Sequence, residues 1–371
     1  MMLLFQAAIA LMKLIYGLLK IFPTRRKIVF LSRQVNKPSI DYELLAQEIK
    51  ERDPGIKVVM LCKRLEKNPK ELLQFTWIFL RSLYHLATSK VCILDTYWPA
   101  VSLLDHKPAL KVVQIWHAMG KIKQSGHKTL NREGGRGKKM ADALKMHEKY
   151  DLIIAGAAAW NPYYCDSFNC QENILYNVGL PRIDYLIHRR FETSRKIYDR
   201  YPELKDKPVI VYAPTFRRTG NKGWELLLQE IDFEKYHLII RPHPNQKLAY
   251  DQPDIYELKE FSTLDVLTVA DFLITDYSAI AVEAAAIDLK TFYYLYDYQV
   301  YSSKNGLNID LFKEMPGAAF EEAAPLMRAL ESGIYPLDCL QAYKEKFLPQ
   351  PLGEATVLIV DRIMSYMEAK N

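Results

Sequence analysis

Short runs of apolar, largely β-branched residues alternate with longer segments of helical periodicity along nearly the whole chain, the pattern of parallel strands joined by crossover helices. Strands are predicted at Lys27–Leu31, Lys57–Leu61, Val91–Leu94, Val112–Trp116, Leu152–Ala155 and Ile174–Val178. A second series follows at Val209–Ala213, His237–Ile240, Ile255–Leu258, Phe272–Thr275 and Thr291–Tyr294. The pattern restarts after a charged helical segment, Arg189 to Arg200, and the Tyr201–Pro202 break. The expected fold class is α/β, with two Rossmann-like, doubly wound domains (residues 23–185 and 186–345) facing each other across a cleft, the GT-B arrangement. The last helical segment, Ala355 to Lys370 within residues 346–371, is expected to pack back on the first domain.

The N-terminus breaks this alternation. Residues 2–22 are almost wholly apolar and approach the length of a bilayer core. Gln6, Lys13 and Lys20 recur every seven residues, however, so a helix carries them as one narrow polar stripe. A lysine at the midpoint of a single span is costly. Positive charge follows the apolar run instead of preceding it, and Pro23 stops the helix, so a cleaved secretory signal does not fit. Residues 1–22 are therefore read as an uncleaved helix in the membrane interface, with Lys13 and Lys20 reaching headgroups and Arg25, Arg26 and Lys27 supporting it. The competing reading packs the helix on the protein's own core or on a dimer partner. A second apolar-aromatic stretch, Leu72 to Leu86, reads as a core helix by default.

Composition narrows the function classes. The chain has 371 residues, 49% of them hydrophobic and 25% charged, enough for two cores. Cys62, Cys92, Cys165, Cys170 and Cys339 show no metal-ligand spacing, so a reducing compartment and no metal site are expected. The net charge of +6 is modest, but Lys121, Lys123, Lys128, Arg132, Arg136, Lys138 and Lys139 crowd one stretch. Such a cluster attracts anionic lipid or a phosphorylated substrate. No recognition motif points to nucleic acid. Within that stretch, the glycine-rich and basic segment Ser125–Lys139 reads as a mobile loop able to close over a phosphorylated substrate.

Three segments carry candidate chemistry, each just past a strand, where open α/β sheets bind ligands. His117 follows the fourth predicted strand and suits a general base. Arg241 and His243, stiffened by Pro242 and Pro244, suit the oxygens of a diphosphate. Asp276-Tyr277-Ser278 opens an alanine-rich helix whose free N–H groups would take a phosphate. Glu283, further into that helix, is expected to hold ribose hydroxyls or to form a salt bridge.

With these residues in view, the chain resembles the CDP-glycerol glycerophosphotransferase family of teichoic-acid polyol-phosphate transferases. The matching pieces are Trp116-His117 with Gly120 and Lys123, Val178-Gly-Leu-Pro-Arg-Ile-Asp184, Tyr212-Ala-Pro-Thr-Phe-Arg217, Arg241-Pro-His-Pro244, Thr275-Asp-Tyr-Ser278 with Glu283, and Asn305-Gly-Leu-Asn-Ile-Asp310 leading to Pro316-Gly317. The resemblance implies an acceptor-binding first domain and a CDP-alditol-binding second domain. It implies His117 as catalytic base with His243 as catalytic partner, and Arg241, Thr275, Asp276, Ser278, Glu283 and Asp310 toward the donor. Lys121, Lys123 and Arg132 are expected on the acceptor or phosphate side. No cofactor is implied.

Two departures stand out: Ala118 occupies a position where many members have Gly, and Lys304-Asn305-Gly306 lacks the Arg that often precedes that glycine. The compact chain resembles the enzymes that add the first glycerol phosphate to an undecaprenyl-pyrophosphate-linked disaccharide on the cytoplasmic face of the membrane, releasing CMP. The alternatives are a CDP-ribitol-using or polymerising relative, or a nucleotide-sugar glycosyltransferase of the same fold.

Overall fold

The computed structural model describes residues 2–65, 68–133, 135–217, 222–243, 246, 248, 250 and 254–369. Pro244, part of the predicted diphosphate segment, lies outside the described residues.

In the first lobe, β1 (Lys27–Ser32), β2 (Lys57–Cys62), β3 (Val91–Leu94), β4 (Lys111–Gln114), β5 (Leu152–Ala155) and β6 (Leu175–Asn177) form a parallel sheet in the order β2-β1-β3-β4-β5-β6. In the second, β7 (Val209–Ala213), β8 (His237–Ile240), β9 (Ile255–Tyr256), β10 (Phe272–Thr275), β11 (Lys290–Tyr294) and β12 (Ala319–Phe320) form another, in the order β12-β11-β10-β7-β8-β9. Runs such as Ile28-Val29-Phe30-Leu31 and Val209-Ile210-Val211 are buried throughout, as parallel strands covered on both faces must be. The strand order reverses between β1 and β3 in one lobe and between β7 and β10 in the other, so each sheet has a switch point where a crevice opens at its carboxyl edge.

Differences from the predicted strands have local causes. β4 stops at Gln114 because Trp116 adopts a positive φ of 58°, held by its N–H donating to Gln114 Oε1 at 2.9 Å. β9 is cut short ahead of Leu258, at φ 44°. β12 is two residues long and leaves no sequence period to read. Segment 125–139, expected as a mobile loop, holds a 3-10 turn at Gly126–Thr129 and the start of the helix Lys138–Ala143, with irregular backbone among the described residues between them. Lys128 pairs with Asp166 and His127 with the Met146 carbonyl.

The lobes are stitched at several points. Segment 121–124 of the first runs antiparallel to 306–308 of the second: Asn308 N–H donates to Ile122 O at 2.8 Å and Gln124 N–H to Gly306 O at 3.1 Å. The terminal helix Ala355–Glu368 lies on the first lobe, its leading N–H groups accepted by Asp184 from Ala355 at 3.1 Å and Thr356 at 2.6 Å. Gly120 is pressed against the second lobe; a Cβ there would lie 2.6 Å from Val282 Cγ2. Gly120→Ala should therefore cost about 1–3 kcal/mol by overpacking the seam, read as a lowered urea midpoint, and an unchanged midpoint would place the seam elsewhere.

The N-terminal helix Met2–Leu19 is split between the two readings. Tyr16 is buried, its hydroxyl 2.7 Å from His106 Nδ1, and Met12, Ile15 and Leu19 pack on the core. Leu11, Leu14, Leu18 and Ile21 are exposed, the last by 80%. The neighbouring helix Pro69–Thr88 behaves likewise: Leu83 and Leu86 are buried, while Leu73 (73%) and Trp77 (63%) face outward, so it is not the wholly core helix expected. No helix among the described residues is long and apolar enough to cross a membrane. Lys13 is exposed, and Lys20 donates to the Asp105 carbonyl at 3.0 Å. Arg25 and Arg26 are exposed, Arg26 in a pair with Asp53. Lys27 corrects its prediction: as the first residue of β1 it turns inward, 2% exposed, and donates to Thr88 Oγ1. Burial, then Arg25 and Lys57, lower its pKa to about 8.

Candidate active site

A cavity of about 770 Å³ lies between the carboxyl edges of the two sheets. The first lobe lines it with Gln34, His117, Lys121, Lys123, Arg132 and Arg182, and the second with Thr215, Arg241, His243, Ser278 and Glu283. The charged lining is dominated by cations, which suits a diphosphate.

The strained turn at Trp116 throws His117 out of the strand direction and into this cavity. Its Nδ1 lies 3.2 Å from the Asp95 backbone carbonyl, which can only accept, so Nδ1 carries the hydrogen and Nε2 keeps the lone pair. Gln34 Nε2 sits 3.0 Å from the same nitrogen, so a protonated Nδ1 requires the amide turned over to put its oxygen on that side. The close walls of the cleft, then Lys121, Arg182 and Lys123, push the imidazole pKa down to about 3, with the Asp95 carbonyl opposing. Water in the open cleft reaches the ring and screens part of this; the direction leaves a neutral ring at pH 7.

Lys121 is 3% exposed and sits in an aromatic cage, its Nζ 4.6 Å from the Trp116 ring centroid, 4.7 Å from Tyr164 and 4.5 Å from Phe168. Burial brings its pKa down to about 7. Lys123 lies on the strap between the lobes and is lowered by burial and Arg217; among the described residues it makes no ion pair. His243 stacks at a tilt 5.2 Å from Phe216, its pKa lowered by burial and by Lys123 and Arg64.

The model of the family described as CDP-Glycerol:Poly(glycerophosphate) glycerophosphotransferase matches residues 15–365. The chain belongs to this family. It is 26% identical to the teichoic acid ribitol-phosphate primase of Bacillus spizizenii over 92% of this chain and 91% of the relative. It is 28% identical to the teichoic acid glycerol-phosphate primase of Bacillus subtilis over 80% of this chain and 76% of the relative. Among solved structures, a variant of the wall teichoic acid polymerase TagF shares its fold with a TM-score of 0.74 at 18% identity, covering 96% of this chain and 94% of that one.

In this member of the family the cavity gathers His117, Lys121, Lys123 and Arg132 opposite Arg241, His243, Ser278 and Glu283. Three predicted donor residues do not line it. Thr275, the last residue of β10, is fully buried and donates to the Ala213 carbonyl at 2.7 Å. Asp276 is buried and organises its own lobe, accepting from Thr215 Oγ1 and Arg217 Nη1, both at 2.6 Å. Asp310 caps the short helix Leu311–Glu314 through Phe312 N–H.

Two others reach the cavity with their polar groups engaged. Arg241 donates to the carbonyls of Glu257 (2.6 Å), Leu258 (3.2 Å) and Phe261 (2.8 Å), shaping the loop before the capped helix Thr263–Leu267. Glu283 accepts from Arg182 Nη1 at 3.1 Å instead of facing a ribose. Ser278 precedes a helix whose regular turn starts at Ile280, and its Oγ accepts from Ile280 N–H at 3.5 Å.

Sequence reasoning left Gln34, Arg182 and Thr215 of the cavity lining unassigned, and with them Arg217, which is buried beside Thr215 and Asp276. Arg182 ties Asp41, the His117 carbonyl and Glu283 together across the seam. Arg217 pairs with Asp276 and Asp297 and faces the rings of Tyr277, Tyr296 and Tyr301. Both lie in the segments that carry the family resemblance, which was the available signal. Where the family arginine before Gly306 is lacking, Arg132 arrives from the other lobe: a Cβ on Gly306 would lie 2.3 Å from its Nη1.

Proposed function

We propose that the protein transfers glycerol phosphate from CDP-glycerol to a hydroxyl of a lipid-linked disaccharide of the undecaprenyl-pyrophosphate type, releasing CMP. The observation that carries this reading is His117, tautomerically fixed by the Asp95 carbonyl, facing His243, Ser278 and the Arg241 loop across one cationic cavity. The acceptor hydroxyl gives its proton to His117 Nε2, and its oxygen forms a bond to the alditol-bearing β-phosphorus. The bond from that phosphorus to the bridging oxygen breaks, and CMP leaves with that oxygen. Lys123, His243 and Ser278 face the charge that builds on the phosphoryl oxygens, and Arg241 acts by holding its loop. A TagF crystal was soaked with CDPG, which supports a CDP-alditol donor in this fold.

Incubating purified protein with CDP-glycerol, CDP-ribitol and UDP-sugars separately, with a synthetic lipid disaccharide, should give CMP release and a product one glycerol phosphate heavier. Preference for CDP-ribitol, or UDP release, would replace the donor assignment.

The enzyme works at the cytoplasmic face of the membrane, lying on it by the outward faces of helices Met2–Leu19 and Pro69–Thr88, with Lys13, Arg25 and Arg26 at the headgroups. Leu14→Glu or Trp77→Glu should weaken sedimentation with anionic vesicles roughly tenfold, without loss of turnover on a soluble acceptor. Equal sedimentation of variant and parent would remove this face from the membrane contact.

A further inference from the structure

A second cavity, of about 680 Å³, opens on the first lobe and adjoins the one just described, sharing Gln34, Trp116, Gly126, Thr129 and Gly135 with it. It sits where the first sheet's order reverses: Arg33 and Gln34 follow β1, and Thr96 and Tyr97 follow β3. The cavity between the lobes occupies the equivalent place on the second sheet, past β7 and β10. Open α/β sheets bind ligands at such switch points, so the geometry offers one ligand crevice per lobe.

The charged groups of this second crevice are two arginines. The Arg33 guanidinium lies 5.4 Å from the Tyr97 ring centroid and that of Arg136 lies 5.8 Å from it. Among the described residues neither makes an ion pair, and Arg136 Nη1 is buried with no hydrogen-bond partner. Burial and then Arg136 lower the Arg33 pKa, with Tyr97, Tyr150 and Asp95 opposing, and His147 beside them is held neutral by burial and by neighbouring cations including both arginines. Two guanidinium forks with a buried unmet donor, opposed among the described residues only by the buried Asp95 carboxylate behind Arg33, match the oxygens of a phosphate or diphosphate. The rim includes Leu65, which is 46% exposed and leads toward the helix whose outer face presents Leu73 and Trp77.

We propose that the Arg33–Arg136 crevice binds the phosphate or diphosphate group of the acceptor, placing the acceptor's sugar hydroxyl at His117 through the opening at Gln34 and Trp116. The placement of the hydroxyl rests on the function proposed above; the anion site itself does not.

The test separates the two. With CDP held at saturation to fill the cavity between the lobes, inorganic diphosphate should still bind the full chain by calorimetry. Arg136→Gln should weaken that binding at least tenfold, and Arg136→Lys less, with both variants matching the parent in thermal midpoint and in CDP affinity. In turnover, Arg136→Gln should raise KM for a diphosphate-bearing soluble acceptor at least tenfold while leaving KM for the neutral glycoside unchanged.

Failure of diphosphate to bind the CDP-saturated parent, or equal binding by Arg136→Gln, overturns the site. Loss of sedimentation with phosphatidylglycerol vesicles in Arg136→Gln with diphosphate binding intact would make it a lipid-headgroup contact and also overturns it. Failure of CDP to bind at all would fall on the proposed function and leave the anion site to be judged by diphosphate alone.

Discussion

His117→Ala should lower turnover by roughly 10²–10⁴-fold while CDP-glycerol affinity stays within about threefold of the parent. The imidazole is held for proton abstraction: the Asp95 carbonyl fixes the Nδ1 hydrogen, and the lone pair on Nε2 looks into the cavity. Donor phosphates are left to Lys123, His243 and Ser278, none of which His117 contacts by a hydrogen bond. A partial rescue by added imidazole would identify the lost group as a base and not as a packing element. Near-normal turnover in the variant would mean that another group takes the proton.

The pH profile carries the same assignment. In the free enzyme the cleft walls, then Lys121, Arg182 and Lys123, lower the ring's pKa below its ordinary value, partly screened by water in the open cleft. The profile of kcat/KM, which reports the free enzyme, should show no acid limb from His117 between pH 5 and 8. Bound diphosphate offsets those cations and favours the imidazolium, so the acid limb of kcat should lie at higher pH than that of kcat/KM. Coincident limbs would show that the donor does not lie beside this ring.

The fold was legible because its signal is local. Buried parallel strands read as continuous apolar runs, and most of those predicted fall within one or two residues of β1–β11. The carboxyl ends were less legible, since the turn that aims His117 depends on Trp116 tolerating a positive φ under a hydrogen bond from its own neighbourhood. Within the site, sequence placed residues near the cleft but not the direction of their polar atoms. Thr275 and Ser278 are three residues apart, yet one is sealed against Ala213 and the other lines the cavity.

Charges misled most where a distant partner claims them. Asp276 is committed to Arg217, 59 positions away, and Glu283 to Arg182, 101 positions away. Lys27 is drawn inward to Thr88, 61 positions away. No pattern along one chain encodes such pairings, whereas the resemblance marked both arginines without stating what they hold.

Arg182→Ala should destabilise the protein by about 3–5 kcal/mol, the largest effect expected of a single change at the seam. The guanidinium donates to Asp41 Oδ2 through Nε at 2.9 Å and to Glu283 Oε1 at 3.1 Å, and both carboxylates are almost wholly buried. Removing it leaves two buried acids facing each other without a counter-charge. Arg182→Lys should recover less than half of the loss, because an ammonium cannot span Asp41, Glu283 and the His117 carbonyl as the planar fork does.

The pH dependence has a definite sign. Burial already raises the Glu283 pKa, and Arg182 opposes that rise. Without Arg182 the folded-state pKa climbs further above the unfolded value, so the folded state holds more protons and stability falls as pH rises through that window. Urea unfolding should therefore show the deficit of Arg182→Ala growing from pH 5 to pH 8, and adding Glu283→Gln should return part of it. A deficit independent of pH, or no gain from the second change, would mean that the seam is held by packing at Gly120 and the strap at 121–124 and not by this buried triad.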